Sequence, residues 1–136
     1  ITMVDDCNRL VVEIKQGEAR GFGFTIQQKV FNTETQEYEL KPFDLTGMEV
    51  HFQVKIAPYF NLPSLIDKII SETSSEVAVG LISYPTEGKF KVQITEQEAL
   101  RNPYDYALII TVVDKDTKYI ISGEGNTSGI FRVCKQ

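Results

Sequence analysis

Apolar and polar residues alternate along most of this chain with the period of a β-strand. From Glu49 onward, Val50, Phe52, Val54 and Ile56 fall on one side and Glu49, His51, Gln53 and Lys55 on the other. The segment Phe43-Asp44-Leu45-Thr46-Gly47 launches that strand. Asp44 and Thr46 can hydrogen-bond local backbone there, and Gly47 can take positive φ. The same alternation puts Leu10, Val12 and Ile14 on one face, then Phe22, Phe24 and Ile26, then Phe90, Val92 and Ile94. Further strands are predicted around residues 38–40, 77–81, 119–121 and 129–133, with a polar hairpin loop over residues 32–37. Residues 104–113 are apolar on both faces, as expected of a central strand covered on both sides.

Two places break the pattern. Gly21 and Gly23 lie opposite Phe22 and Phe24, where they mark either a bulge or a close approach of another chain. Residues 57–75 carry Pro58 and Pro63, then Ser64 as an N-cap before apolar residues near helical spacing, which predicts a short inserted helix. Thr95 and Glu98 form a capping box for a single helical turn, stopped at Asn102-Pro103. The whole reads as one all-β domain over residues 1–136. The expected fold is an immunoglobulin-like β-sandwich of about eight strands with one short helical insertion. The Cys-Trp-Cys spacing of antibody domains is missing, since the chain has no Trp.

Composition narrows the function more than the fold. Fourteen Lys and Arg against nineteen Asp and Glu give a net charge of −5, without the basic stripe that nucleic acid would require. No apolar run approaches the roughly 20 residues of a membrane-spanning helix, and residues 1–6 lack the basic and apolar regions of a signal peptide. Cys7 and Cys134 sit near the two ends. They either pair across the first and last strands or remain two thiols, and no Cys-x-x-Cys or second His accompanies them toward zinc.

Catalytic grammar is sparse. His51, the single histidine, falls on the outward face of its strand beside Gln53 and Lys55. No Gly-x-Ser-x-Gly elbow accompanies it. Glu96, Glu98, Asp105, Asp114 and Asp116 are each explained as cap or turn residues, and Asp114 with Asp116 offers too few oxygens for calcium. The glycines at 21–23 and 123–125 lack the lysine and the strand-to-helix context of a phosphate loop. The expectation is a non-enzyme without cofactor or metal.

Three pieces in order carry a resemblance. They are Pro42-Phe43-Asp44-Leu45-Thr46-Gly47 before an alternating strand; Gly88-Lys89-Phe90-Lys91-Val92-Gln93-Ile94; and Pro103-Tyr104-Asp105-Tyr106-Ala107-Leu108-Ile109-Ile110 followed by the closing strand to Val133. Together they resemble the N-terminal immunoglobulin-like domain of the phage baseplate upper protein family, and related sandwich domains of phage tails. The insertion at 57–75 and the missing helical and receptor-binding regions depart from that family. The resemblance implies a structural module of a virion, assembled in the host cytoplasm, docking to other tail or baseplate subunits and forming homo-oligomers. Tyr59, Phe60, Leu62, Leu65, Ile66 and Ile69 are the expected partner-contact cluster, with capping of the sandwich's own core as the other reading. The alternative function is a carbohydrate-binding or adhesion sandwich, with Tyr59, Phe60 and Tyr84 as its stacking platform.

Overall fold

The computed structural model describes residues 3–4, 10–123, 125 and 128–135. Among them the chain runs through β1 (Met3–Val4), β2 (Leu10–Lys15), β3 (Arg20–Thr25), β4 (Gln27–Asn32), β5 (Glu37–Pro42) and β6 (Glu49–Lys55). It continues through β7 (Ile66–Ile70), β8 (Gly80–Tyr84), a 3₁₀ turn (Pro85–Glu87), β9 (Lys89–Ile94) and α1 (Glu96–Ala99). It closes with β10 (Tyr104–Asp114), β11 (Thr117–Ser122) and β12 (Gly129–Cys134). The protein is an all-β sandwich. One sheet has the order β1-β2-β12-β10-β6-β7, with β11 also on β10, and the other has the order β3-β9-β8. Among the described residues every pairing is antiparallel except β12 with β2, which is parallel.

The inward halves of the alternating strands meet in one cluster. Phe22 and Phe24 of β3, Phe90 and Val92 of β9, Phe52 and Val54 of β6, Leu108 and Ile110 of β10 and Phe131 of β12 are all buried in it. Phe24 stacks on Phe90 with ring centroids 5.1 Å apart, and Phe52 meets Phe131 edge-on at 6.4 Å. The Tyr106 hydroxyl donates to the Asn102 carbonyl at 2.8 Å, which ties β10 to the turn that precedes it.

The turn before β6 forms as its residues require. The Thr46 backbone N–H and hydroxyl both donate to Asp44 Oδ1, at 2.9 and 2.6 Å, while Gly47 adopts φ +74°. Those two bonds, the hydroxyl's first, hold the Asp44 carboxyl below the usual carboxylate range. Leu45 is fully buried beneath them. The capping box also stands: Thr95 accepts from the Glu98 N–H and Glu98 accepts from the Thr95 N–H.

Three expectations need correction. Residues 66–70 are strand β7 and not a helix, because Ile66, Lys68 and Ile70 turn inward while Asp67 and Ile69 turn outward. The Lys68 ammonium reaches past the core to Glu98 Oε1 and the Ala78 carbonyl, both at 2.6 Å. Gly21 and Gly23 mark no bulge, since β3 keeps unbroken register with β9 from Arg20 opposite Ile94 to Thr25 opposite Lys89. Val77 stands outside β8, largely exposed ahead of its start at Gly80. The described residues also form β1, β4 and β7, which the pattern did not predict as strands.

Candidate functional site

β4 and β5 belong to neither layer of the sandwich. They pair only with each other, as a two-stranded antiparallel ribbon inserted between β3 and β6. Opposed residues share a face. Phe31 lies opposite Tyr38, Lys29 opposite Leu40 and Gln27 opposite Pro42, so one face is largely apolar. The other face carries Asn32, Glu37, Glu39, Gln28 and Lys41 around Val30. Tyr38 and Leu40 are 70% and 63% exposed, and Phe31 is 44% exposed despite its edge-on contact with Tyr38 at 5.2 Å.

The ribbon's tip and root are both well defined. At the tip Asn32 Oδ1 accepts from the Glu34 N–H, the Gln36 N–H donates to the Asn32 carbonyl, and Gln36 takes φ +59°. At the root the Ile26 N–H donates to the Gly88 carbonyl at 2.8 Å and the Phe43 N–H to the Ile26 carbonyl at 3.0 Å. Gly88 has φ +70°, and a Cβ there would lie 2.4 Å from the Ile26 carbonyl oxygen. The ribbon therefore stands on the body as an arm with a fixed base and an uncovered apolar face.

A second feature lies on the outward face of the larger sheet. A groove of about 410 Å³ crosses β6, β10 and β11, floored by Gln53, Thr111 and Val113 and walled by His51, Lys55, Phe60, Lys118 and Ile120. Residues 56–62 bound it on one side, drawn onto the sheet by the Lys55 ammonium. That group is buried beneath them and donates to the Phe60 carbonyl at 3.4 Å and to the Leu62 carbonyl. The lining residues include no carboxylate. Glu49 Oε1 stands 3.9 Å from His51 Nε2, and that nitrogen is buried without a hydrogen-bond partner.

The expected contact cluster is divided by this arrangement. Phe60 walls the groove, and Tyr59 beside it is exposed. Ile69 is exposed on the outward face next to His51, with which it pairs. Ile66 is 2% exposed and belongs to the core, so it offers nothing to a partner; Leu65 packs against that core and Leu62 is half-buried. The stacking platform is not brought together: Tyr84 borders a separate depression with Gly23, Leu81 and Lys91 on the smaller sheet. Among the described residues no three His, Cys, Asp or Glu side chains gather where they could hold a metal, and no helix is long and apolar enough to cross a membrane. Cys134 is half-buried at the end of β12, while Cys7 and its pairing lie outside the described residues.

Sequence reasoning found the hairpin loop at residues 32–37 and the strand after it, but missed β4 and the ribbon's separation from both layers. The ribbon's signal was present in Phe31, Tyr38, Leu40 and Pro42, set at alternate positions about a polar turn. Alternation tells which side chains share a face; it does not tell whether another layer covers that face. No family model matches the chain, and no curated protein matches it.

Proposed function

We propose that this protein is a non-enzymatic assembly domain of a phage or prophage tail or baseplate protein, which docks to neighbouring subunits in the virion. The ordered motif series in the sequence supports the class. The arm carries the reading: an isolated two-stranded ribbon is marginal in water, and an uncovered aromatic and aliphatic face on one is best explained by a partner that covers it. Docking through a projecting ribbon on a rigid sandwich needs no substrate pocket and no cofactor. Phe60 and Ile69, exposed on the outward face, extend the surface available to other subunits.

The test is location. Particles produced from the genome that encodes this chain are purified and probed with an antibody to it. The reading expects the chain to co-sediment with tails and to stay bound through a high-salt wash. A variant with both Tyr38→Ser and Leu40→Ser is expected to remain in the unassembled fraction. Particles that lack the chain altogether would overturn the reading.

A further inference from the structure

We propose that the free edge of β3 takes up an extended segment of a neighbouring subunit as an added strand, with a large apolar side chain of that segment lying over Gly23. The inference rests on the assembly reading and names the form of partner that the smaller sheet accepts. Among the described residues β3 pairs with β9 and with no other strand. Its unbroken register fixes which main-chain groups are unused. The Ile26 N–H donates to the Gly88 carbonyl, so Phe24 and Phe22, at alternate positions, exchange bonds with β9. Gly21, Gly23 and Thr25 therefore aim their N–H and C=O groups away from it, and all three are exposed. The Gln93 N–H, opposite Gly21, accordingly donates to the Val79 carbonyl on the other side.

This edge lacks the devices that keep strands from pairing. It contains no proline and no bulge, and its sole charge, Arg20, stands at its start. The opposite edge of the same sheet is protected. β8 is irregular between Leu81 and Tyr84, and the Ile82 N–H is taken by the Ser71 carbonyl. An exposed row of main-chain donors and acceptors selects its occupant by chemistry, because another extended chain satisfies it at every second residue.

Gly23 adds the side-chain preference. Neither it nor Gly21 takes positive φ, β3 has no bulge, and a Cβ at Gly23 would meet nothing within 4 Å. Nothing within the chain thus calls for a glycine that weakens the strand. On the outward side, Gly23 borders the depression of about 320 Å³ on the smaller sheet. The rung Gly23, Lys91, Leu81 crosses it, Lys91 pairs with Glu76 at 3.6 Å, and Tyr84 stands exposed at its border. A tyrosine opposite Gly23 on an added antiparallel strand would lie across the glycine into this space, as aromatic side chains do over edge glycines.

NMR titration of the isotope-labelled protein with the peptide Lys-Thr-Val-Tyr-Val-Thr-Glu, acetylated and amidated at its ends, tests this. The Gly21, Gly23 and Thr25 amides should shift, with a dissociation constant of about 1 mM, while those of β6 and β10 stay in place. Glycine in place of the peptide's tyrosine should weaken binding about fivefold. N-methylation of the tyrosine amide should abolish it, because that N–H pairs with the β3 edge. Gly23→Pro removes a donor that β9 does not use, so circular dichroism should match the wild type and binding should be lost. Gly23→Lys fills the space over the strand and should bind the tyrosine and glycine peptides alike. No shift at the three β3 amides with about 5 mM peptide overturns the proposal. Undiminished binding by a folded Gly23→Pro, or an unchanged tyrosine preference in Gly23→Lys, overturns it as well. Peptide binding with particles that lack the chain would leave the strand-accepting edge standing and remove the assembly reading. Particles that hold the chain, with no shift at β3, would do the reverse.

Discussion

The sandwich body and the arm are built from the same alternating β-strands and differ in what covers them. In the body, Phe52 on β6 turns inward and meets Phe24 and Phe131 with no exposed surface. In the arm, Tyr38 on β5 turns to the same side as Phe31 and Leu40 and meets solvent. A strand's pattern thus fixes a face, while topology decides whether that face is interior. In this molecule the second sheet closes over the first and leaves the ribbon between β3 and β6 outside.

The sharpest way to break the comparison is to truncate one aromatic in each region. Phe52→Ala should cost about 3–5 kcal/mol in urea denaturation, because the surrounding rings cannot collapse into the void. Tyr38→Ser should change the stability of the body by less than about 0.5 kcal/mol. Comparable losses at both sites would mean that the arm is structurally part of the core.

Next in size is the ion pair that closes one end of the sandwich. Glu98→Ala leaves the buried Lys68 ammonium with the Ala78 carbonyl alone and removes half of the capping box, at a cost of about 3 kcal/mol. Lys68→Met keeps the volume and removes the charge, so it should cost less than about 1.5 kcal/mol. Chemical denaturation of the pair checks the asymmetry. Gly88→Ala comes third, at about 2 kcal/mol, since it combines positive φ with a clash at the arm's root. Its effect should extend to the arm, read as shifted amide resonances over residues 27–42.

The legibility of the sequence followed the same division. β6, β9 and the capping box at Thr95 were readable because local pattern and final environment agree. The expectation for residues 104–113 held in part: Ala107 and Ile109 on the outward face are buried like Leu108 and Ile110 on the inward one, whereas Tyr104 is exposed and Thr111 and Val113 floor the groove. Strand β7 was not readable. Ile66, Ile69 and Ile70 satisfy helical spacing, and the strand period is disguised by Lys68, a charged residue at an inward position that only its distant partner Glu98 explains. The parallel join of β2 to β12 was equally hidden. It is held in register by Arg132, which donates to Asp105 at 2.8 Å and to Glu13 at 3.0 Å from the same rung of three strands. Those bonds, to Asp105 first, push the guanidinium pKa up. The cluster is partly exposed, so Arg132→Met should cost only about 1 kcal/mol.

The smallest expected effect is a pH dependence at the turn before β6. The Asp44 carboxyl is held below its unfolded value, so its contribution is fully present above that value. The contribution fades as pH falls through the lower, folded value, which places the window below about pH 4. Carbon-detected NMR titration should show Asp44 protonating at lower pH than an unperturbed aspartate, and Thr46→Val should return it toward the ordinary range.

Amide hydrogen exchange measured on the free protein and on purified particles tests most directly whether the arm is a surface awaiting a partner. In the free protein, amides of β4 and β5 should exchange far faster than those of β6 and β10. In particles they should gain protection without change in the core. Arm amides as protected as the core in the free protein, and unchanged by assembly, would contradict the account.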